Sequence, residues 1–192
     1  MIRRLYDWMI AIAGHRHALW ALAAVAFLES SIFPIPPDVL MIPMIIAAPT
    51  KAFRIALVAT IASVTGGLAG YGIGYGLMDS IGQPVLEFYG KADKFDELAA
   101  GFNEYGVWAV IIAGVTPFPF KVITIFSGVT HLSLPLFVAS SIFARALRFF
   151  IVAGLLWKFG EPVRTFIEKR LGLVFTVFVV LLIGGLYLVK YL

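Results

Sequence analysis

Apolar residues run along this chain in stretches of two lengths. Ile55–Met78 is 24 residues without a charge and Leu171–Val189 is 19. At about 1.5 Å per residue, each can cross a hydrocarbon core of ~30 Å. Pro135–Trp157 is a third candidate crossing, although Arg145 and Arg148 lie within it. The other runs are half as long. Ala18–Leu28 holds eleven uncharged residues before Glu29, a rise of only about 16 Å. Val39–Ala48 is closed by Pro49, Lys51 and Arg54, and Tyr105–Val115 and Val122–Thr130 are short as well, with a turn near His131. Residues 2–13 place Ile2, Leu5, Met9 and Ile12 on one helical face opposite Arg3, Arg4 and Asp7. That pattern predicts an interfacial helix or the start of the first span. Asp79–Glu104 is the one polar stretch, with Asp93, Lys94, Asp96 and Glu97 at its centre, and is expected to be a loop with a short surface helix.

The short runs meet at prolines. Phe33-Pro34-Ile35-Pro36-Pro37-Asp38-Val39 lies almost in register with Thr116-Pro117-Phe118-Pro119-Phe120-Lys121-Val122. Proline removes a backbone donor and breaks a helix, so each motif predicts an interrupted helix inside an apolar segment. The likeness extends to Gly76–Gly82 and Gly154–Gly160, giving copies at 34–82 and 117–160. Paired helix breaks at membrane depth point to a transporter-type binding site. The expected fold is all-α and integral to the membrane: an inverted repeat of two re-entrant hairpins, each followed by a transmembrane helix. As one membrane domain it divides into an interfacial helix (1–17), repeat 1 (18–82), a polar loop (83–104), repeat 2 (105–160) and a C-terminal span (161–192).

Composition agrees. The 192 residues are 61% hydrophobic and 14% charged, with a mean hydropathy of +0.96, well above a soluble domain. No cysteine is present, so no disulfide or thiolate chemistry exists. The net charge of +4 suits loops against an anionic leaflet and is too small to argue for nucleic acid. With the N-terminus on one side, that side collects Arg3, Arg4, Arg16, Lys51, Arg54, Lys158, Arg164, Lys169 and Arg170, against Lys91, Lys94 and Lys190 on the other. Positive charge therefore places the N-terminus in the cytoplasm. The tally is the same if both broken segments are full spans.

Five ionisable residues remain at membrane depth: Glu29, Asp38, Lys121, Arg145 and Arg148. Isolated charge there costs roughly 2.5–3.5 kcal/mol on insertion scales, so the five are expected to pair around a wet cavity. Asp38 and Lys121 follow the two breaks at equivalent places. Arg145 and Arg148 share a helix face, and the repeat offset sets them against Gly67 and Gly70. A guanidinium fork suits a phosphate, so Lys121, Arg145 and Arg148 are candidate anion ligands, with Glu29 and Asp38 as proton or charge-compensating partners. The competing reading is that the arginines only neutralise the acids. Gly66, Gly70 and Gly74 recur every four residues and predict close helix packing. The alternating glycines at 70–76 lack the preceding strand of a nucleotide loop. His15, His17 and His131 lack ligand spacing, so neither a metal nor another cofactor is expected. Ser30 and Ser31 have no histidine partner or nucleophile elbow, so catalysis is not expected.

The Glu29…Phe33-Pro34-x-Pro36-Pro37-Asp38 pattern, the glycine-rich span and the second Pro-x-Pro element followed by Ser127-Gly128 resemble the DedA family, the bacterial branch of the VTT-domain group. The resemblance covers about residues 29–160. It implies two opposed re-entrant helices, residence in the bacterial inner membrane, and movement of polyprenyl phosphates or phospholipids between leaflets, with a proposed link to the proton gradient. Glu29 and Asp38 match the family's acidic pair. The two arginines usual around the second proline are replaced by Lys121 alone, as in the shorter YqaA-like branch.

Three functions stand open at this point: a lipid translocase, a proton- or cation-coupled carrier of a small solute, and a scaffold acting through residues 79–104. Because the chain lacks cysteine, its topology can be tested directly. Single cysteines at Lys51 and Lys91 are expected to label from opposite faces, position 51 from the cytoplasm; full spans would reverse that assignment.

Overall fold

The computed structural model describes residues 17–33, 36–88, 92–116 and 118–188. The helix expected at the N-terminus lies outside them, as do Pro34 and Pro117. All regular structure among the described residues is helical: α1 (Ala18–Ser31), α2 (Asp38–Ala47), a 3-10 turn (Pro49–Lys51), α3 (Ala52–Leu77), a π-turn (Met78–Gly82), α4 (Gln83–Phe88), α5 (Ala92–Val115), α6 (Phe120–Val129) and α7 (Leu134–Leu188). Three helical segments are long and apolar enough to cross a membrane: Pro49–Gly82, Asp93–Val115 and Leu134–Gly160.

The breaks follow from the prolines and local bonding. The amides of Ile32 and Phe33 both donate to the Leu28 carbonyl, which closes α1 just before Pro34. Pro37 then caps α2, its carbonyl accepting from Leu40 and Met41. In the second break Pro119 is extended, with φ −62° and ψ 105°, and α6 starts at the next residue.

Two expectations are corrected. The stretch 83–104 is helical over most of its length, and α5 is one helix of 24 residues where a loop and a half-length run were expected. Its polar residues, with Asp93 in the first turn, lie where acidic side chains complement the helix dipole. Hydropathy alone mistook a solvated helix start for a loop. In addition, no turn separates the third crossing from the expected final span. The α7 backbone continues through Pro162 to Leu188.

Contacts fix the directions of the helices. Phe53 of α3 stacks near Phe150 and Trp157 of α7, while Tyr71 meets Phe137, so α3 and α7 are antiparallel. Gly106 of α5 faces Leu132 and Gly114 faces Ala144, so α5 runs alongside α7 in the same direction. After the break α6 doubles back, and Phe126 meets Phe102 edge-on. At the opposite end α1 and α2 leave from and return to one apolar core, built from Ala18, Leu22, Met41, Ile45, Ala52 and Leu156 among others. A second core of Tyr71, Val110, Phe120, Leu132 and Phe137 holds the α5–α6 end.

Helix α3 carries both hairpins on glycines. A Cβ at Gly66 would overlap the backbone of Phe27 in α1, and one at Gly74 the carbonyl of Ile125 in α6. The fit with α6 is reciprocal, since a Cβ at Gly128 would strike the Tyr71 carbonyl. Gly72 and Gly76, on the other face, have nothing within 4 Å. Gly74→Val or Gly128→Val is therefore expected to cost about 2 kcal/mol or more by forcing α6 off α3. Gly72→Ala and Gly76→Ala should be neutral or stabilise by up to about 1 kcal/mol. Thermal unfolding in detergent distinguishes the two classes.

Candidate functional site

Between the two apolar cores lies a polar layer, at the level where both broken helices turn. Its centre is Arg145, 1% exposed, near the middle of the 134–160 segment of α7. Its Nη2 donates to Glu29 Oε2 at 2.8 Å and its Nε to Ser63 Oγ at 2.6 Å. The guanidinium lies over the rings of Phe120 and Phe149, at 4.8 and 4.6 Å from their centroids. Such desolvated cation–π contacts are worth up to ~2 kcal/mol.

Both carboxylate oxygens of Glu29 accept hydrogen bonds. Its Oε2 takes the hydroxyl of Ser30 as well as Arg145, and its Oε1 takes the amide of Phe120 at 3.3 Å. That amide belongs to the first residue of α6, so a carboxylate from α1 sits at the positive end of another helix. The return contact is Lys121 of α6, whose Nζ donates at 2.9 Å to the Ile32 carbonyl at the end of α1. Thr124 adds a third tie, from its hydroxyl to the Ser30 carbonyl at 2.9 Å. A Cβ at Gly70 would meet that same hydroxyl, so Gly70 makes room for the bond.

The second ion pair is nearer the surface. Arg148 Nη2 donates to Asp38 Oδ2 at 2.6 Å, with the two side chains 17% and 16% exposed. Its Nη1 donates to the Thr116 carbonyl, just past the end of α5. Asp38 is the first residue of α2. One arginine thus joins the start of α2 to the end of α5.

The five charges expected at membrane depth do converge, and the two arginines pair with the two acids as expected. Lys121 caps α1 and makes no pair with its repeat-mate Asp38, which takes Arg148. Gly67 faces Thr124, Phe120 and Phe137, and Gly70 faces Thr124 and the Ser30 carbonyl. Pro36, Pro37 and Pro119 flank the two breaks. Ser30, Ser63, Thr124 and Phe149 complete the site without having been singled out for it. The only signal for the three hydroxyl residues was that polar residues inside apolar runs need a partner, and Phe149 carried none.

Comparison with known proteins sets this geometry in a group. The model of the VTT domain matches residues 35–158, which include Asp38, Lys121, Arg145 and Arg148. An uncharacterized protein of Haemophilus influenzae is 34% identical over 186 residues, 97% of this chain and 96% of its own. A second uncharacterized protein, from Histophilus somni, is 39% identical over 168 residues, covering 85% and 87%. No solved structure matches.

Because both partners are buried, Glu29 and Arg145 should be strongly coupled. Glu29→Leu and Arg145→Leu are each expected to cost about 3–5 kcal/mol by stranding the other charge. The double variant should recover much of that loss, as read by thermal unfolding of all four proteins in detergent.

Proposed function

The chain belongs to the VTT-domain family of membrane proteins, the DedA family, and on that premise we propose that it moves an anionic phosphate lipid, such as a polyprenyl phosphate or a phospholipid, between leaflets of the bacterial inner membrane. The observation that carries this reading is the convergence of two arginine–carboxylate pairs on four broken helix ends. A protein that merely spans the bilayer has no need of such charges, which are costly in lipid and mark transport pathways.

In this reading α1–α2 and α5–α6 are re-entrant hairpins from opposite faces, and α3 and α7 are the crossings that make the repeats inverted. The excess of positive charge on the N-terminal side supports a cytoplasmic N-terminus. A headgroup enters between the hairpin tips while its tail stays in the bilayer through a lateral opening. Arg148, the more accessible arginine, meets the phosphate with Lys121, and its fork exchanges one carboxylate for two phosphate oxygens. Arg145 is sealed behind the Phe120 and Phe149 rings and supports the site by holding both tips.

Reconstitution into liposomes with a fluorescent polyprenyl phosphate or phospholipid tests this. Wild type is expected to move the probe, and Arg148→Ala to slow it about tenfold or more, the worth of a charged hydrogen bond. Its loss of stability should be smaller than that of Arg145→Ala. Proton flux without lipid movement in the same vesicles would select an ion-coupled solute carrier instead.

A further inference from the structure

The Asp38–Arg148 pair leaves one atom over. Oδ2 of Asp38 is bonded to the guanidinium, but Oδ1 is buried and has no hydrogen-bond partner. A buried carboxylate oxygen without a donor is costly, because it has given up water for nothing. The other acceptor groups that the five charges touch each have a donor. Glu29 uses both oxygens, and the Ile32 and Thr116 carbonyls take Lys121 and Arg148. At the hairpin tips, then, the unfilled acceptor sits directly beside the more accessible of the two arginines.

Charge gives a second, independent constraint. Lys121, Arg145 and Arg148 carry three positive charges and Glu29 and Asp38 two negative ones, so the cluster is +1 when all are ionised. A monoanion neutralises it. A zwitterion leaves the positive charge uncompensated, and a dianion overshoots, each costly at low dielectric.

From these two constraints we infer that the ligand is a monoanionic phosphate carrying its own hydrogen-bond donor, and that Asp38 Oδ1 reads that donor. Phosphate oxygens go to Arg148 and Lys121, and the donor goes to Asp38. It is either a hydroxyl on a phosphodiester headgroup or the P–OH of a singly protonated phosphate monoester. Asp38 thereby acts as a specificity residue for headgroups, which rests on the translocase reading of the site and narrows its substrate. A phosphodiester with no donor would leave Oδ1 unfilled and bind poorly.

The test is binding of water-soluble dihexanoyl lipids to the purified full chain in detergent, followed by titration calorimetry. Phosphatidylglycerol and phosphatidylmethanol are both monoanionic phosphodiesters, and only the first has hydroxyls. Wild type is expected to prefer phosphatidylglycerol about tenfold or more, and Asp38→Leu to reduce that ratio to about one. Asp38→Asn keeps an acceptor and should retain part of the preference, which keeps the test decisive if the leucine variant does not fold. Dihexanoyl phosphatidic acid separates the donor sources. Tight binding below its second pKa of about 6, lost above it, identifies P–OH; weak binding throughout identifies the headgroup hydroxyl. Equal wild-type affinity for the two phosphodiesters overturns the donor requirement and leaves the translocase standing, with lipid movement in liposomes as its own readout. Binding of none of these lipids overturns both.

Discussion

A broken helix leaves carbonyls or amides without a helical partner, and the charges at the centre of this protein answer that need. Lys121 takes the end of α1, Arg148 takes the end of α5, and Glu29 takes the first amide of α6. Asp38 stands at the start of α2. The signs follow the helix dipoles: cations at the two C-termini and acids at the two N-termini. Because α1 and α6 exchange Glu29 and Lys121, neither broken helix is complete without the other. The proline breaks and the buried charges are thus one feature, since removing either strands the other.

This double duty bears on how the charges are divided between fold and function. Arg145 has an acceptor in Glu29, a hydroxyl in Ser63 and aromatic faces on both sides, with almost no exposure. A ligand would have to displace all of these at once, at a desolvation cost of several kcal/mol per ion. Arg148 keeps one carboxylate and one carbonyl at a partly open position. Exchange of partners is therefore far easier at Arg148, although the two arginines are three residues apart on the same helix. Burial, more than residue type, separates the structural cation from the exchangeable one.

Much of this was legible in the sequence. The two proline breaks, the full-length α3 and the convergence of five charges all follow from hydropathy and the cost of charge in lipid. The start of α5 was not legible, because Asp93, Lys94, Asp96 and Glu97 lower the hydropathy of what is a continuous helix. Nor was the partner of Lys121: backbone ends compete with carboxylates for cations, and Lys121 is taken by the Ile32 carbonyl. Ser63 and Thr124 look like ordinary small residues in apolar runs. Their roles depend on which helix faces them, a long-range fact that no local pattern carries.

The two hairpins are fastened unequally, and that bears on where a lipid path would open. Helix α6 meets α3 at backbone distance through Gly74 and Gly128. It is further held by the Thr124–Ser30 bond and by the exchange of Glu29 and Lys121, and the turn after it by the Tyr71 hydroxyl on the Leu132 carbonyl. Among the described residues α2 has a single polar tie to the rest of the chain, Asp38 to Arg148. Its remaining contacts are apolar side chains such as Met41, Met44 and Ile45 packed in the core with Phe149 and Leu156. Apolar packing of this kind is non-directional and can slide, and it can be re-covered by lipid tails at little cost in a membrane. Clamped backbones and filled hydrogen bonds cannot. If a headgroup takes Arg148 from Asp38, the direct polar tie of α2 is replaced by one that runs through the ligand, so the hold on the more weakly packed hairpin limb then depends on that ligand.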